Sequence, residues 1–60
     1  MTLTSRINSI LSRVAVGETV GISTAMGLLN CKRPAAVETL LVMEARGILE
    51  ADDRVYRRIK

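Results

Sequence analysis

Residues 22–49 of this chain read ISTAMGLLNCKRPAAVETLLVMEARGIL, and this stretch decides the fold. Its first part, residues 22–30, places apolar residues about one helical turn apart, so it predicts a short helix. Ser23 is a candidate N-cap, because its hydroxyl can accept a hydrogen bond from a free backbone N–H. Asn30 is a typical last residue, since asparagine tolerates the left-handed conformation. Gly27 weakens this helix and offers room for another helix to pack closely.

The second part of the stretch predicts a longer helix after a tight turn. Residues 31–33 form the turn. Pro34 fits the first turn of the helix, because its missing N–H would have no partner there. From about residue 34 to residue 46 the apolar residues recur at helical spacing, and Gly47 is the expected stop. The whole stretch therefore predicts two helices joined by a short connection.

The flanking segments add one more helix and a hairpin. The N-terminal segment predicts a helix over about residues 4–15, with Thr2 or Thr4 as its cap. Val20, after a glycine-rich turn, is a candidate for a very short strand. Residues 48–59 predict a β-hairpin, because two β-compatible runs flank a polar turn. The apolar stripe of the first helix consists of Leu3, Ile7, Ile10, Leu11 and Val14. We therefore expect a fold that is mainly α with a small β-hairpin.

The length of 60 residues allows one domain, over residues 1–60, with little room for a deep cleft beside its core. Apolar residues make up 48% of the chain, but it has one Tyr and neither Phe nor Trp. The core must therefore be built from Leu, Ile, Val, Met and Ala.

The composition excludes several kinds of site. The chain has no histidine, which excludes histidine-based acid–base catalysis and histidine metal ligands. Cys31 is the only cysteine, so neither an intrachain disulfide nor a cysteine-based zinc site can form. Asp52 and Asp53 are adjacent but lie in the expected turn, where aspartate is favoured for backbone hydrogen bonding. We expect no enzymatic activity, no metal, no cofactor and no small-molecule substrate.

Charge and hydropathy bear on the partners of the chain. Its apolar runs are too short to cross a membrane, and its first residues lack the pattern of a secretory signal. One free thiol suits a reducing compartment, so we expect a cytoplasmic protein with no membrane partner. Nine basic residues against six acidic ones give a net charge of +3. Such an excess permits nucleic-acid binding without requiring it.

The order of elements is that of a winged helix-turn-helix: a short helix, a tight turn, a longer helix and a hairpin. The segment LLVMEARGIL, residues 40–49, joins the longer helix to the hairpin through a glutamate, a glycine and an apolar pair. The chain resembles the winged helix-turn-helix family of DNA-binding domains, and within it the small fimbrial-operon regulators of the PapI/FaeA type. The resemblance implies three helices plus a C-terminal wing, in a transcriptional regulator of bacterial, plasmid or phage origin. It places the helix at about 34–46 in the major groove of double-stranded DNA and the hairpin at 48–59 on the phosphate backbone.

The basic residues are concentrated in the two elements that this arrangement would bring to DNA. Lys32 and Arg33 lie at the start of the longer helix, where free N–H groups favour a phosphate. A cation at this position interacts unfavourably with the helix dipole, at a cost of roughly 0.3–1 kcal/mol. An anion bound beside it would offset that cost. Arg54, Arg57 and Arg58 are the candidates for phosphate contacts from the hairpin. Each of these residues also has a simpler interpretation as a charge that keeps the protein in solution.

The remaining candidate contacts lie on the longer helix itself. Ala35 and Thr39 offer apolar contacts at best, and Glu38 could accept a hydrogen bond from cytosine or be an ordinary surface residue. Because this helix is poor in hydrogen-bond donors, we expect modest sequence specificity.

A second function of a different class stays open, namely a protein-interaction module on the same fold without intrinsic DNA binding. The apolar residues on the outside of the longer helix favour it. If the chain does bind DNA, one copy makes few phosphate contacts, so a homodimer or a second DNA-bound regulator would raise its effective affinity.

Overall fold

The computed structural model describes all 60 residues as three helices and a three-stranded antiparallel sheet. This confirms the expectation of a mainly α fold with a hairpin, and it adds a third strand to the sheet. The elements in chain order are helix α1 (Leu3–Arg13), strand β1 (Thr19–Val20), helices α2 (Ile22–Leu29) and α3 (Arg33–Ala45), and strands β2 (Leu49–Asp52) and β3 (Val55–Arg58).

Helix α1 begins with a side-chain cap, as predicted. The Thr2 hydroxyl accepts a hydrogen bond from the N–H of Ser5 at 3.1 Å and so satisfies one of the free donors of the first turn. Ile7 and Ile10 from its apolar stripe are buried. The helix ends at Arg13, two residues before the predicted end.

Helix α2 begins one residue before the predicted helix cap. Gly21 is the N-cap and makes no side-chain hydrogen bond, so the prediction of Ser23 as the cap is wrong: Ser23 lies in the first helical turn. Asn30 ends the helix in the left-handed conformation at φ 51°, as predicted. A Cβ on Gly27 would meet nothing within 4 Å, so this glycine marks no close helix approach.

Helix α3 starts earlier than expected, because Arg33 is already helical and Lys32 is the N-cap. Its end is as predicted. Gly47 has φ 75°, and its N–H donates to the Glu44 carbonyl at 3.0 Å, while the Ile48 N–H donates to the Met43 carbonyl at 2.9 Å. These two bonds satisfy carbonyls that the helix end leaves free, and the left-handed backbone that they need favours glycine.

The sheet has the strand order β1-β3-β2, so β3 lies in the middle. Strands β2 and β3 form the predicted hairpin, with Asp52 paired to Val55 across a two-residue turn. Asp53 occupies that turn at φ 62°. Val20 of β1 pairs with Tyr56 of β3, which ties the segment before α2 to the hairpin.

One apolar core joins the three helices to the sheet. It contains Ile7, Ile10, Val14, Val20, Ala25, Leu29, Ala36, Leu40, Met43 and Leu49. As the composition requires, no aromatic residue belongs to this buried set. Tyr56 is half-buried and packs against its edge. The core holds α2, α3 and the hairpin together, and so fixes the relative position of their exposed ends.

Candidate nucleic-acid interface

A cleft of about 540 Å³ opens where the start of α2, the start of α3 and the hairpin meet. Its lining residues are Gly21, Ile22, Ser23, Arg33, Ala51, Asp53, Arg54, Val55 and Tyr56. The fold therefore brings Arg33 and Arg54, which are far apart in the sequence, to the same cleft. Both are exposed, and neither takes part in an ion pair.

Backbone donors add to the positive character of this cleft. The N-caps of α2 and α3, Gly21 and Lys32, make no side-chain hydrogen bond, and neither helix has an acidic residue in its first turn. The first N–H groups of a helix lack intrahelical partners and carry a partial positive charge. Two uncapped helix starts and two guanidinium groups thus converge on one region, with Asp53 as the only acidic residue that lines the cleft.

Three of the predicted contacts are exposed and take part in no ion pair: Lys32, Arg33 and Arg54. We call Arg33, Arg54 and the exposed Lys32 beside them the cationic cluster. An anion that entered the cleft would meet the charges of this cluster without first having to break an ion pair.

The other two arginines of the hairpin, Arg57 and Arg58, have partners for their guanidinium groups. Arg57 is exposed, but its Nη2 lies 2.5 Å from a carboxylate oxygen of Asp52. Arg58 is half-buried, and its Nη1 donates to the carbonyls of Leu11 at 3.0 Å and Val14 at 2.6 Å, while its buried Nε has no partner. Arg58 therefore holds the end of α1 with the same guanidinium group that was predicted to contact a phosphate.

The predicted contacts on α3 are also rearranged. Thr39 is fully buried, so its placement on the outside of the helix is wrong. Its hydroxyl donates to the Ala35 carbonyl at 2.7 Å and accepts from Nε of Arg6 at 2.8 Å. Arg6 also reaches Glu38, with Nη2 2.5 Å from the carboxylate. Glu38 is thus an exposed residue with a charge partner on α1.

Sequence reasoning missed one residue that lines the cleft and one residue that ties α1 to α3. Ser23 was assigned as a cap, yet the cap is Gly21, two residues earlier, and Ser23 lines the cleft from the first turn of α2. Arg6 was not among the predicted site residues, yet it links α1 to Thr39 and Glu38 of α3. The pairing of a guanidinium with residues more than thirty positions away leaves no local signal in the sequence.

No group of three or more His, Cys, Asp or Glu side chains comes together in a way that could hold a metal ion. None of the three helices has the length and apolar character that a membrane crossing requires. Comparison of the chain with family models, with curated proteins and with solved structures finds no match.

Proposed function

We propose that this chain is a small winged-helix protein that binds double-stranded DNA and regulates transcription. In this arrangement α2 and α3 are the helix-turn-helix, α3 lies in the major groove, and the β2–β3 hairpin is the wing. The observation that carries the proposal is the convergence of Arg33 and Arg54 on the cleft between two uncapped helix starts. Such a combination of fixed cations and free N–H groups suits a phosphate of the DNA backbone.

The arrangement of charge across the molecule supports this proposal. The acidic partners of Arg6 and Arg57 neutralise those two cations, whereas Lys32, Arg33 and Arg54 keep their full charge. Three of the exposed cations without an ion pair are therefore gathered at the start of α3 and at the tip of the hairpin, and the others lie at the ends of α1 and α3 and at residue 60. In the proposed complex the start of α3 and the tip of the hairpin are the two places where a docked helix and a wing come closest to phosphates.

With three cations in contact with phosphates, we expect weak DNA binding that depends strongly on salt concentration. Neutralising three phosphates predicts a slope of about −3 for log K against log salt concentration. Fluorescence anisotropy of a labelled mixed-sequence duplex, titrated with protein at several salt concentrations, measures this slope. A second copy of the chain, or another regulator bound to adjacent DNA, would raise the effective affinity, and a cytoplasmic setting belongs to the same proposal.

Single substitutions test which residues carry the binding. Arg33→Gln and Arg54→Gln should each weaken binding and reduce the slope by about 1. Arg13→Gln removes the same charge from an exposed arginine at the end of α1, outside the cleft, and should leave the slope unchanged. Equal effects of the three substitutions would show that net charge alone drives binding.

One observation favours the second function, a protein-interaction module. Leu41 on the outside of α3 is 48% exposed, and exposed apolar residues of that size often lie in protein interfaces. This function predicts no DNA binding even at low salt, and the anisotropy titration therefore separates it from the first.

A further inference from the structure

The outer face of α3 is apolar at the position where the proposed function places DNA bases. We define this face as Pro34, Val37, Glu38, Leu41 and Ala45, which lie opposite the buried residues of the helix. Leu41 is 48% exposed, Val37 is half-buried, and the other three are exposed. The opposite side of the helix carries the core residues Ala36, Leu40 and Met43. The face is therefore available to a ligand along the length of the helix.

The outer face has no side-chain hydrogen-bond donor. Its only polar residue, Glu38, is an acceptor, and one of its oxygens already holds Arg6 at 2.5 Å. Thr39, which could have donated, is buried and bonded to the Ala35 carbonyl. Recognition of guanine in the major groove needs donors to its N7 and O6 atoms, and adenine needs a donor together with an acceptor. The second oxygen of Glu38 could accept a hydrogen bond only from an amino group such as that of cytosine. Apolar contact with the thymine C5-methyl group needs neither donor nor acceptor, and is the base contact that the apolar residues of this face can make.

The charges at the two ends of α3 indicate that the occupant is duplex DNA. Lys32 and Arg33 lie at the start of the helix and Arg46 at its end, all exposed and none in an ion pair. Thirteen residues span about 20 Å at a rise of 1.5 Å per residue, whereas the major groove is about 12 Å wide. Cationic ends and a mainly apolar middle, whose one charged residue, Glu38, is paired with Arg6, complement a groove with phosphate walls and a floor of base edges.

We propose that the outer face of α3 recognises A·T base pairs through thymine methyl groups, with Leu41 as the principal contact. This inference rests on the proposed function and adds the class of DNA sequence that the site prefers. It assigns the cationic cluster to phosphates and the outer face to the bases. Specificity then comes from apolar contact rather than from a code of hydrogen bonds.

Replacing thymine by deoxyuracil tests this inference, because the change removes only the C5-methyl group and keeps the base pair. Two short duplexes of identical sequence with a central A·T segment, one with thymine and one with deoxyuracil in that segment, are titrated with the wild-type protein. Deoxyuracil should weaken binding by about fourfold for each methyl group that loses its contact. Leu41→Ala should shrink this difference, whereas Val16→Ala, at an exposed apolar residue outside α3, should preserve it.

Each outcome decides something definite. A thymine preference that depends on Leu41 supports the inference. Equal binding of the two duplexes with the expected salt dependence overturns the inference and leaves the proposed function in place. A thymine preference that Leu41→Ala leaves intact overturns the assignment of Leu41. Absence of binding to either duplex at low salt overturns the proposed function and the inference with it.

Discussion

At the scale of single residues, the arginines divide by what their guanidinium groups contact. Arg6 and Arg58 bond to atoms of other elements and hold the scaffold together. Arg33 and Arg54 have no such partner and lie at the cleft. Charge in the sequence is the same for all four, so only the structure separates arginines that stabilise the fold from arginines that are free to bind.

Replacement of Arg58 by alanine is expected to destabilise the protein. The carbonyls of Leu11 and Val14 would lose a charged donor, and hydrogen bonds to charged groups contribute about 1.5–3 kcal/mol each. Arg57→Ala is the matched control, because it removes an exposed ion pair worth less than about 1 kcal/mol. Urea unfolding of both variants measures the difference. Equal losses would contradict the structural role of Arg58.

Prediction from the sequence succeeded for residues whose type is restricted by the local backbone conformation. It failed for residues whose position depends on a side chain far away in the sequence. Asn30 and Gly47 were correctly identified as helix ends. Both have a left-handed backbone conformation, which few residue types other than glycine and asparagine adopt easily. Thr39 was placed on the wrong side of α3, although it lies at helical spacing from the buried residues Ala36 and Met43, because a polar residue there needs a partner and that partner, Arg6, lies on another helix. The sequence patterns around Thr39 and Arg6 contain no trace of that contact.

At the scale of elements, the ends of the helices and of the hairpin were predicted to within about two residues. For the third strand, its place in the sequence was predicted but its pairing partner was not. Val20 was a candidate for a short strand, yet two residues have no periodicity that could reveal a pairing partner. In the folded chain β1 pairs with β3 and brings Gly21 next to the hairpin, where a Cβ would lie 3.7 Å from Cγ1 of Val55. The cleft exists because of this pairing, so the candidate site could not be assembled from the sequence.

Gly27 inside α2 and Gly47 just after the end of α3 should respond to alanine in opposite directions. Gly27 lies inside α2 with nothing within 4 Å, so Gly27→Ala should stabilise the protein by about 0.5–1 kcal/mol. Gly47 also has space for a Cβ, but its φ of 75° should make Gly47→Ala cost about 1–2 kcal/mol. Thermal or urea unfolding gives both values. A loss of stability in Gly27→Ala would contradict the open surroundings of that residue.

At the scale of the whole molecule, 60 residues leave a small margin of stability, roughly 3–9 kcal/mol for a domain of this length. The core has neither disulfide nor aromatic anchor, so it depends on close packing of aliphatic residues. Their burial holds in place the three segments that form the cleft. Stability and the proposed binding surface are therefore coupled through the core.

The neighbouring residues Leu40 and Leu41 give a direct test of that packing. Leu40 is fully buried, and Leu40→Ala should cost about 2–5 kcal/mol, a large share of the total stability. Leu41 is half-exposed, and Leu41→Ala should cost less than about 1 kcal/mol. Denaturant unfolding of both variants checks the contrast. Similar losses would mean that the buried and exposed sides of α3 are wrongly assigned.

The central claim is that the starts of α2 and α3 and the tip of the hairpin form one surface that binds DNA. Two-dimensional ¹H–¹⁵N NMR spectra of the labelled protein, titrated with a mixed-sequence duplex at low salt, test it most directly. The account predicts that the amide signals of residues 22–24, 32, 33, 35 and 53–54 shift together, while those of residues 8–13 on α1 stay in place. Unchanged spectra at saturating DNA, or shifts confined to α1, would contradict it.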